Sequence, residues 1–205
     1  QLLTHSAGFP EDNPWGDQQL GVSEDQLTGW LEKGLPFSTP PGTAYEYSNY
    51  GFALLGRIVS NASGMAYRDY LKTQILAPLG MTHSTLEPSS VPAGVRAKGY
   101  RKTGETYSEE KPLAHGGFGS MGGLLTSARD LARYVAFQLS AFPPRDDEDG
   151  GPVKRSSRRE MQQVWRQGTF NVRWAAGDSG VQVEAGGYGY GLGVWRNCFF
   201  QHLVG

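Results

Sequence analysis

The stretch Pro41-Gly42-Thr43-Ala44-Tyr45-Glu46-Tyr47-Ser48-Asn49-Tyr50 decides how this chain is read. A Pro-Gly turn opens it, and the apolar positions Phe52, Leu55, Ile58 and Val59 then recur at helical spacing, predicting an apolar face through those four. Ser48 or Asn49 is the expected helix cap. A short turn before a helix can aim the Tyr47 phenol and the Asn49 amide into one cleft. A phenol titrates near ~10, so making it a base at neutral pH takes ~3 pKa units, or ~4 kcal/mol of preferential stabilisation of the phenolate. Lysine ammonium groups in a dry cleft supply that. A phenol so tuned accepts a proton from a serine hydroxyl and returns it to a leaving group. Spacing alone does not separate this reading from simple packing of Tyr45, Tyr47 and Tyr50 around a helix start.

Further helices are expected on either side. Ser23 and Gln26 form a capping box ahead of Leu27, Trp30 and Leu31. Asn61-Ala62-Ser63-Gly64 stops the helix after Tyr50. Tyr67, Tyr70, Leu71 and Ile75 mark another that ends before Pro78. Ser127 with Asp130 caps one bearing Leu131, Tyr134, Val135 and Leu139, and Ser157 with Glu160 caps one bearing Met161, Val164 and Trp165. Strand signals are fewer. Val95 to Tyr107 reads as a hairpin around Lys102-Thr103-Gly104-Glu105. Tyr188 to Trp195 and Phe199 to Val204 read as two strands joined through Arg196-Asn197-Cys198. Residues 142–154, with their Pro-Pro, acidic and Gly-Gly-Pro runs, read as a solvated surface loop.

Composition excludes several function classes. Apolar residues make up 38% and charged residues 19% of 205, which suits a single folded domain. A net charge of −1 leaves no footprint for nucleic acid. No apolar run has the ~18 residues of a membrane span. Cys198 is the single cysteine, so no internal disulfide or cysteine-based metal site exists. His5, His83, His115 and His202 pair with no second ligand type at helical spacing, so no metal or cofactor is implied. The chain opens on Gln1-Leu2-Leu3 and closes on Val204-Gly205, which reads as truncation at both ends.

Longer phrases carry a resemblance. Leu2-Leu3-Thr4-His5-Ser6-Ala7-Gly8-Phe9-Pro10, Pro41-Gly42 and Tyr47-Ser48-Asn49-Tyr50-Gly51 occur in order. Leu54-Leu55-Gly56-Arg57-Ile58-Val59, Pro78-Leu79-Gly80-Met81-Thr82-His83-Ser84, Gly122-Gly123-Leu124-Leu125-Thr126-Ser127 and Gly189-Tyr190-Gly191-Leu192-Gly193-Val194 follow. Together they resemble the serine β-lactamase-like family, which includes class C β-lactamases, penicillin-binding carboxypeptidases, D-aminopeptidases and related esterases. The resemblance implies an α+β fold of the β-lactamase/transpeptidase type, mostly the helical lobe with two or so antiparallel strands. It implies a serine hydrolase acting through an acyl-enzyme on a small-molecule ester, amide or β-lactam, and an exported or periplasmic setting. Tyr47 takes the proton-transfer role, and Asn49 orients substrate and a lysine. His5 belongs to a structural phrase, and Ser120, in the glycine-rich run after His115, lines the site.

The family's nucleophile motif, Ser-x-x-Lys, would precede Gln1, and its final Lys-Thr-Gly or His-x-Gly would follow Gly205. The fragment alone is then expected to be inactive. The alternative is a truncated or degenerate relative serving as a binding or scaffold module. Three look-alikes do not fill the gaps. Ser108-Glu109-Glu110-Lys111 has acidic neighbours that oppose an alkoxide. Lys102-Thr103-Gly104 reads as a hairpin tip. Gly177-Asp178-Ser179-Gly180 reads as a polar loop.

Overall fold

The computed structural model describes residues 1–12, 15–111, 114–174, 180–196 and 202–205. Helix α1 (Glu24–Lys33) opens on the expected capping box, with Ser23 Oγ accepting from the Gln26 N–H at 3.1 Å and Gln26 Oε1 accepting from the Ser23 N–H at 3.0 Å. Helix α2 (Asn49–Ser63) is capped by Ser48, whose Oγ accepts from the Gly51 N–H at 3.1 Å. It stops at Gly64, whose φ of 69° suits a residue without Cβ. Helix α3 (Tyr67–Tyr70) continues as a wider π turn over Leu71–Leu76. Helix α4 (Ala128–Leu139) starts where Ser127 Oγ accepts from the Asp130 N–H at 3.2 Å.

Helix α5 (Arg155–Met161) departs from the expected cap. The Asp149 carboxylate takes the Arg155 N–H at 2.6 Å, so the helix begins before Ser157. Val164 and Trp165 lie beyond its end, where the Trp165 indole donates to the Glu160 carbonyl at 2.9 Å. Residues 142–151 are exposed, as a solvated loop should be. Two of the loop's acids nonetheless bind inward, Asp147 to Arg155 at 3.1 Å and Asp149 to Arg158 at 3.6 Å.

Strands β1 (Tyr100–Thr103) and β2 (Thr106–Glu109) form the expected hairpin, exposed along both strands, with Gly104 at φ 61° in the turn. Lys102-Thr103-Gly104 is its tip, and Ser108 lies on β2. A second sheet is an antiparallel meander of β3 (Arg166–Trp174), β4 (Val181–Tyr188), β5 (Gly193–Arg196) and β6 (Leu203–Val204). This is a larger sheet than the sequence suggested. The expected strand Tyr188–Trp195 is two strand ends around a tight turn, in which the Gly189 N–H donates to the Leu192 carbonyl at 2.8 Å and Gly191 has φ 72°. Tyr188, Tyr190, Leu192 and Val194 alternate with other residues and imitate a strand, but a left-handed residue cannot extend one. Residues 175–179 and 197–201, with Cys198, lie outside the described set.

The core joins α1, α2 and the run after His115 through Leu20, Leu27, Tyr50, Ala53, Leu54 and Phe118. On α2 the buried side runs through Tyr50, Ala53, Leu54 and Gly56, whereas Ile58, expected inside, is 52% exposed. The small residues on the buried side allow close approach but carry little hydrophobic signal in the sequence. Helix α4 likewise turns Asp130 and Gln138 inward and leaves Leu131, Val135 and Leu139 exposed. Asp130 is held by the His83 N–H at 2.7 Å, the Ser84 hydroxyl at 2.9 Å and Arg133 at 2.6 Å. Phe118 is fully buried at the centre of the core. Phe118→Ala is expected to cost about 3–5 kcal/mol in guanidinium unfolding, since the cavity it leaves has rigid walls; a loss below about 1 kcal/mol would place the core elsewhere.

Candidate active site

The Tyr47 turn is held from beneath by the first residues of the chain. The Gly42 N–H donates to the Ser6 carbonyl at 2.7 Å, the Glu46 N–H to the His5 carbonyl at 2.8 Å, and the Ser38 N–H to the Gly8 carbonyl at 2.9 Å. His5 itself sits at φ 49°, the one non-glycine residue among those described with a positive φ. That conformation is uncommon for a residue with a Cβ and persists where the surroundings over-determine it. Here the surroundings are specific. His5 Nδ1 accepts from the Ser48 N–H at 3.0 Å, which leaves the ring neutral with its proton on Nε2. Burial pushes the His5 pKa down to about 4, against a smaller opposing pull from the Asp12 charge.

Four aromatic rings surround that imidazole. Tyr47 lies 4.3 Å away between centroids, Tyr188 4.6 Å, Phe52 4.8 Å and Tyr45 5.8 Å. Tyr188 comes from the end of β4, so the sheet meets the helical part at this point. Its neighbouring turn is fixed by the Gly191 N–H donating to the Leu3 carbonyl at 3.0 Å, and the Arg166 guanidinium of β3 donates to the Gly42 carbonyl. Burial, with the nearby Tyr47 and Tyr45 phenols adding, pushes the Tyr188 phenol up to about 12. Burial also raises Tyr45, reinforced by Tyr47 and Glu11.

Asn49 has different surroundings. It is buried, and its side-chain Nδ2 donates to Asp12 Oδ1 at 3.1 Å. The same oxygen accepts the Asn49 backbone N–H at 2.7 Å, and Asp12 Oδ2 accepts the Tyr50 N–H at 2.7 Å. Gly16 packs against the amide so closely that a Cβ there would collide with Asn49 Nδ2. Beside this cluster a cavity of about 470 Å³ is lined chiefly by Phe9, Pro10, Trp30, Leu35 and Tyr50. Ser120 is placed apart from both groups. Its hydroxyl donates to the Phe52 carbonyl at 2.8 Å, and it lines a separate cavity of about 200 Å³ with Gly56, Tyr67, Arg68 and His115.

Tyr47 and Asn49 are thus held on one turn, Tyr47 through His5 and Asn49 through Asp12. Sequence reasoning missed Asp12 and Tyr188, and it gave His5 a structural part without its bond to Ser48. The signal for Asp12 was weak: an acid shortly after the Gly8-Phe9-Pro10 phrase. Among the described residues no group of three or more His, Cys, Asp or Glu side chains is placed to hold a metal ion. No helix among them is long and apolar enough to cross a membrane.

A family model described as Beta-lactamase matches residues 1–202. The chain belongs to the beta-lactamase family. Protein flp of Staphylococcus aureus (strain NCTC 8325 / PS 47) is 30% identical over 153 residues, covering 70% of this chain and 29% of that protein. This chain therefore spans less than a third of that relative's length. Among solved structures, the octameric penicillin-binding protein homologue from Pyrococcus abyssi superposes with a TM-score of 0.76 at 27% identity, covering 99% of this chain and 44% of that one. D-amino acid amidase from Ochrobactrum anthropi SV3 shares the fold with a TM-score of 0.63 at 19% identity, over 95% of this chain and 54% of the other. The α+β architecture is accordingly that of the β-lactamases and penicillin-binding proteins, a family of hydrolases.

The depressed His5 pKa has a consequence for beta-lactamase-family stability that can be read in solution. Between the ordinary 6.5 and about 4, the unfolded chain binds a proton that the folded state refuses. The His5 contribution to stability is therefore complete above pH 6.5, falls as the pH drops through this window, and levels out below about 4. His5→Gln is expected to flatten the pH dependence of the urea midpoint across that interval; an unchanged slope would show that His5 titrates normally.

Proposed function

We propose that the intact protein is a serine hydrolase that cleaves a small ester or amide through an acyl-enzyme, with Tyr47 as its proton-transfer group. The observation that carries this reading is the Tyr47–Asn49 turn, clamped by His5 and Asp12 within a stretch that matches the beta-lactamase family from end to end. A general base must hold one position through two proton transfers, and a turn with its successive N–H groups all bonded meets that demand.

The reaction runs in two halves. The hydroxyl of a Ser-x-x-Lys serine, on a segment flanking this one, attacks the substrate carbonyl while the Tyr47 phenolate takes its proton. The phenol then protonates the departing alcohol or amine, and the acyl group remains as an ester on the serine. Water attacks that ester in the second half, again losing its proton to Tyr47, which returns it to the serine oxygen. Backbone N–H groups beside the serine and along a Lys-Thr-Gly or His-x-Gly edge strand stabilise the oxyanion in both halves. The lysines of the two motifs hold the phenolate at neutral pH. Asn49 provides an oriented amide at the same turn.

In the intact protein, stoichiometric labelling by a fluorophosphonate and turnover of p-nitrophenyl esters, nitrocefin or D-alanyl peptides are expected. Tyr47→Phe should lower kcat by about 10²–10⁴-fold, the usual span for a general acid–base group. Full turnover in that variant removes Tyr47 from the mechanism. An intact protein that neither labels nor turns over any of the three substrate types is a binding module instead.

A further inference from the structure

The carboxylate of Asp12 makes a choice for Asn49 that its sequence position leaves open. A side-chain amide has one donor edge and one acceptor edge, and which edge faces a site is decided by its neighbours. Asp12 is itself almost fully buried and, as a carboxylate, only accepts. Its Oδ1 lies 3.1 Å from Asn49 Nδ2, which assigns the nitrogen to that side. Gly16 closes on the same nitrogen and leaves no room for a side-chain atom between them. Rotating the amide by half a turn would bring Asn49 Oδ1 against Asp12 Oδ1, two acceptors with no proton between them. Both acid oxygens are also held in place by the backbone, through the Asn49 and Tyr50 N–H groups at 2.7 Å each. The acid therefore cannot turn to accommodate the flipped amide without releasing the start of α2.

We infer that Asp12 is a positioning residue that locks Asn49 so that only its carbonyl oxygen is offered to a reaction partner. Asn49 then serves as an acceptor for an ammonium or N–H group, such as the lysine of the nucleophile motif, and not as a donor to a substrate carbonyl. This rests on the hydrolase reading above and narrows it: substrate carbonyls are held by other donors, and Asn49 acts on the proton-transfer side of the site.

The experiment exchanges the two side chains in the intact protein. Asp12→Asn and Asn49→Asp are each expected to lower kcat for a p-nitrophenyl ester at least tenfold, the first by freeing the amide to flip and the second by setting two carboxylates face to face. The double variant restores one amide N–H between the two residues and presents only an acceptor at position 49. Its kcat should recover at least tenfold over either single variant, with KM close to that of the unaltered protein. If the double variant regains its melting temperature while kcat stays at the level of Asn49→Asp, Asn49 donates during turnover and the inference fails. A measurement on the unaltered protein stands apart from any variant's folding: the Asn49 side-chain NH2 protons, followed by ¹⁵N-asparagine NMR, should exchange with solvent far more slowly than those of exposed Asn61. Exchange as fast as Asn61 overturns the lock. Full activity in both Tyr47→Phe and Asn49→Ala would instead overturn the hydrolase reading, while the exchange experiment still reports on the Asp12–Asn49 pair.

Discussion

A single buried carboxylate under the first turn of α2 is the constraint from which the rest of this site follows. The first N–H groups of a helix have no partner within it. Here Asp12 takes those of Asn49 and Tyr50, Ser48 Oγ takes that of Gly51, and His5 takes that of the capping residue itself. Hydrogen bonds to a charged acceptor contribute about 1.5–3 kcal/mol each, and the positive end of the helix dipole adds to them. The anion is buried without a salt bridge, and the helix end is its counter-charge. Moving α2 by even one residue would strip the carboxylate of its donors, so the helix start is fixed. With it are fixed Tyr47 just outside and the Tyr50 ring in the core.

The second support comes from the sheet, and it explains why His5 tolerates a left-handed backbone. Its carbonyl, its Nδ1 and its ring are all engaged, with Glu46, Ser48 and the Tyr47–Tyr188 pair respectively. The turn at residues 189–192 packs Gly191 on Phe52 and ties its N–H to Leu3. The helical part and the sheet are therefore joined through the candidate site and not merely beside it. A displacement of the sheet would be felt first by His5 and Tyr47.

The sequence and the structure agree where a residue's local chemistry determines its place. Ser23, Ser48, Ser127 and Gly64 were legible as helix ends because capping is a bond within a few residues. The Tyr47–Asn49 turn was legible because a Pro-Gly turn and a helix start bracket it, and the family phrases gave it meaning. What could not be read depends on contacts between distant segments. Asp12 reaches Asn49 across 37 positions, and Tyr188 reaches His5 from β4. The buried side of α2 was misassigned because Ala53 and Gly56 pack closely without looking hydrophobic, while Ile58, the better apolar signal, faces outward. Arg155 shows the same effect at α5, where an acid from the preceding loop, and not the local Ser157, decides where the helix begins. Strands β3 and β4 carry Arg166, Gln167, Asn171, Gln182 and Glu184, so their alternation is weak in the sequence and appears only once they pair.

The electrostatics of the cluster bear on how a phenol here becomes a base. Burial disfavours every charged form, and it has raised Tyr188 and Tyr45 and lowered His5. Each shift keeps a neighbour of Tyr47 neutral at physiological pH. Neutral neighbours do not compete with Tyr47 for a negative charge, yet they do not stabilise one either. A phenolate would have to draw the ~4 kcal/mol that neutrality requires from ammonium groups brought against it. An ammonium so placed loses water and needs acceptors, and a carbonyl oxygen held rigid beside the phenol is one. The acceptor-only orientation of Asn49 therefore serves Tyr47 indirectly: it lowers the cost of burying the cation on which the phenolate depends. On this account Asp12, buried beneath Asn49, is electrically part of the site through two intervening hydrogen-bonded groups, the amide and the ammonium.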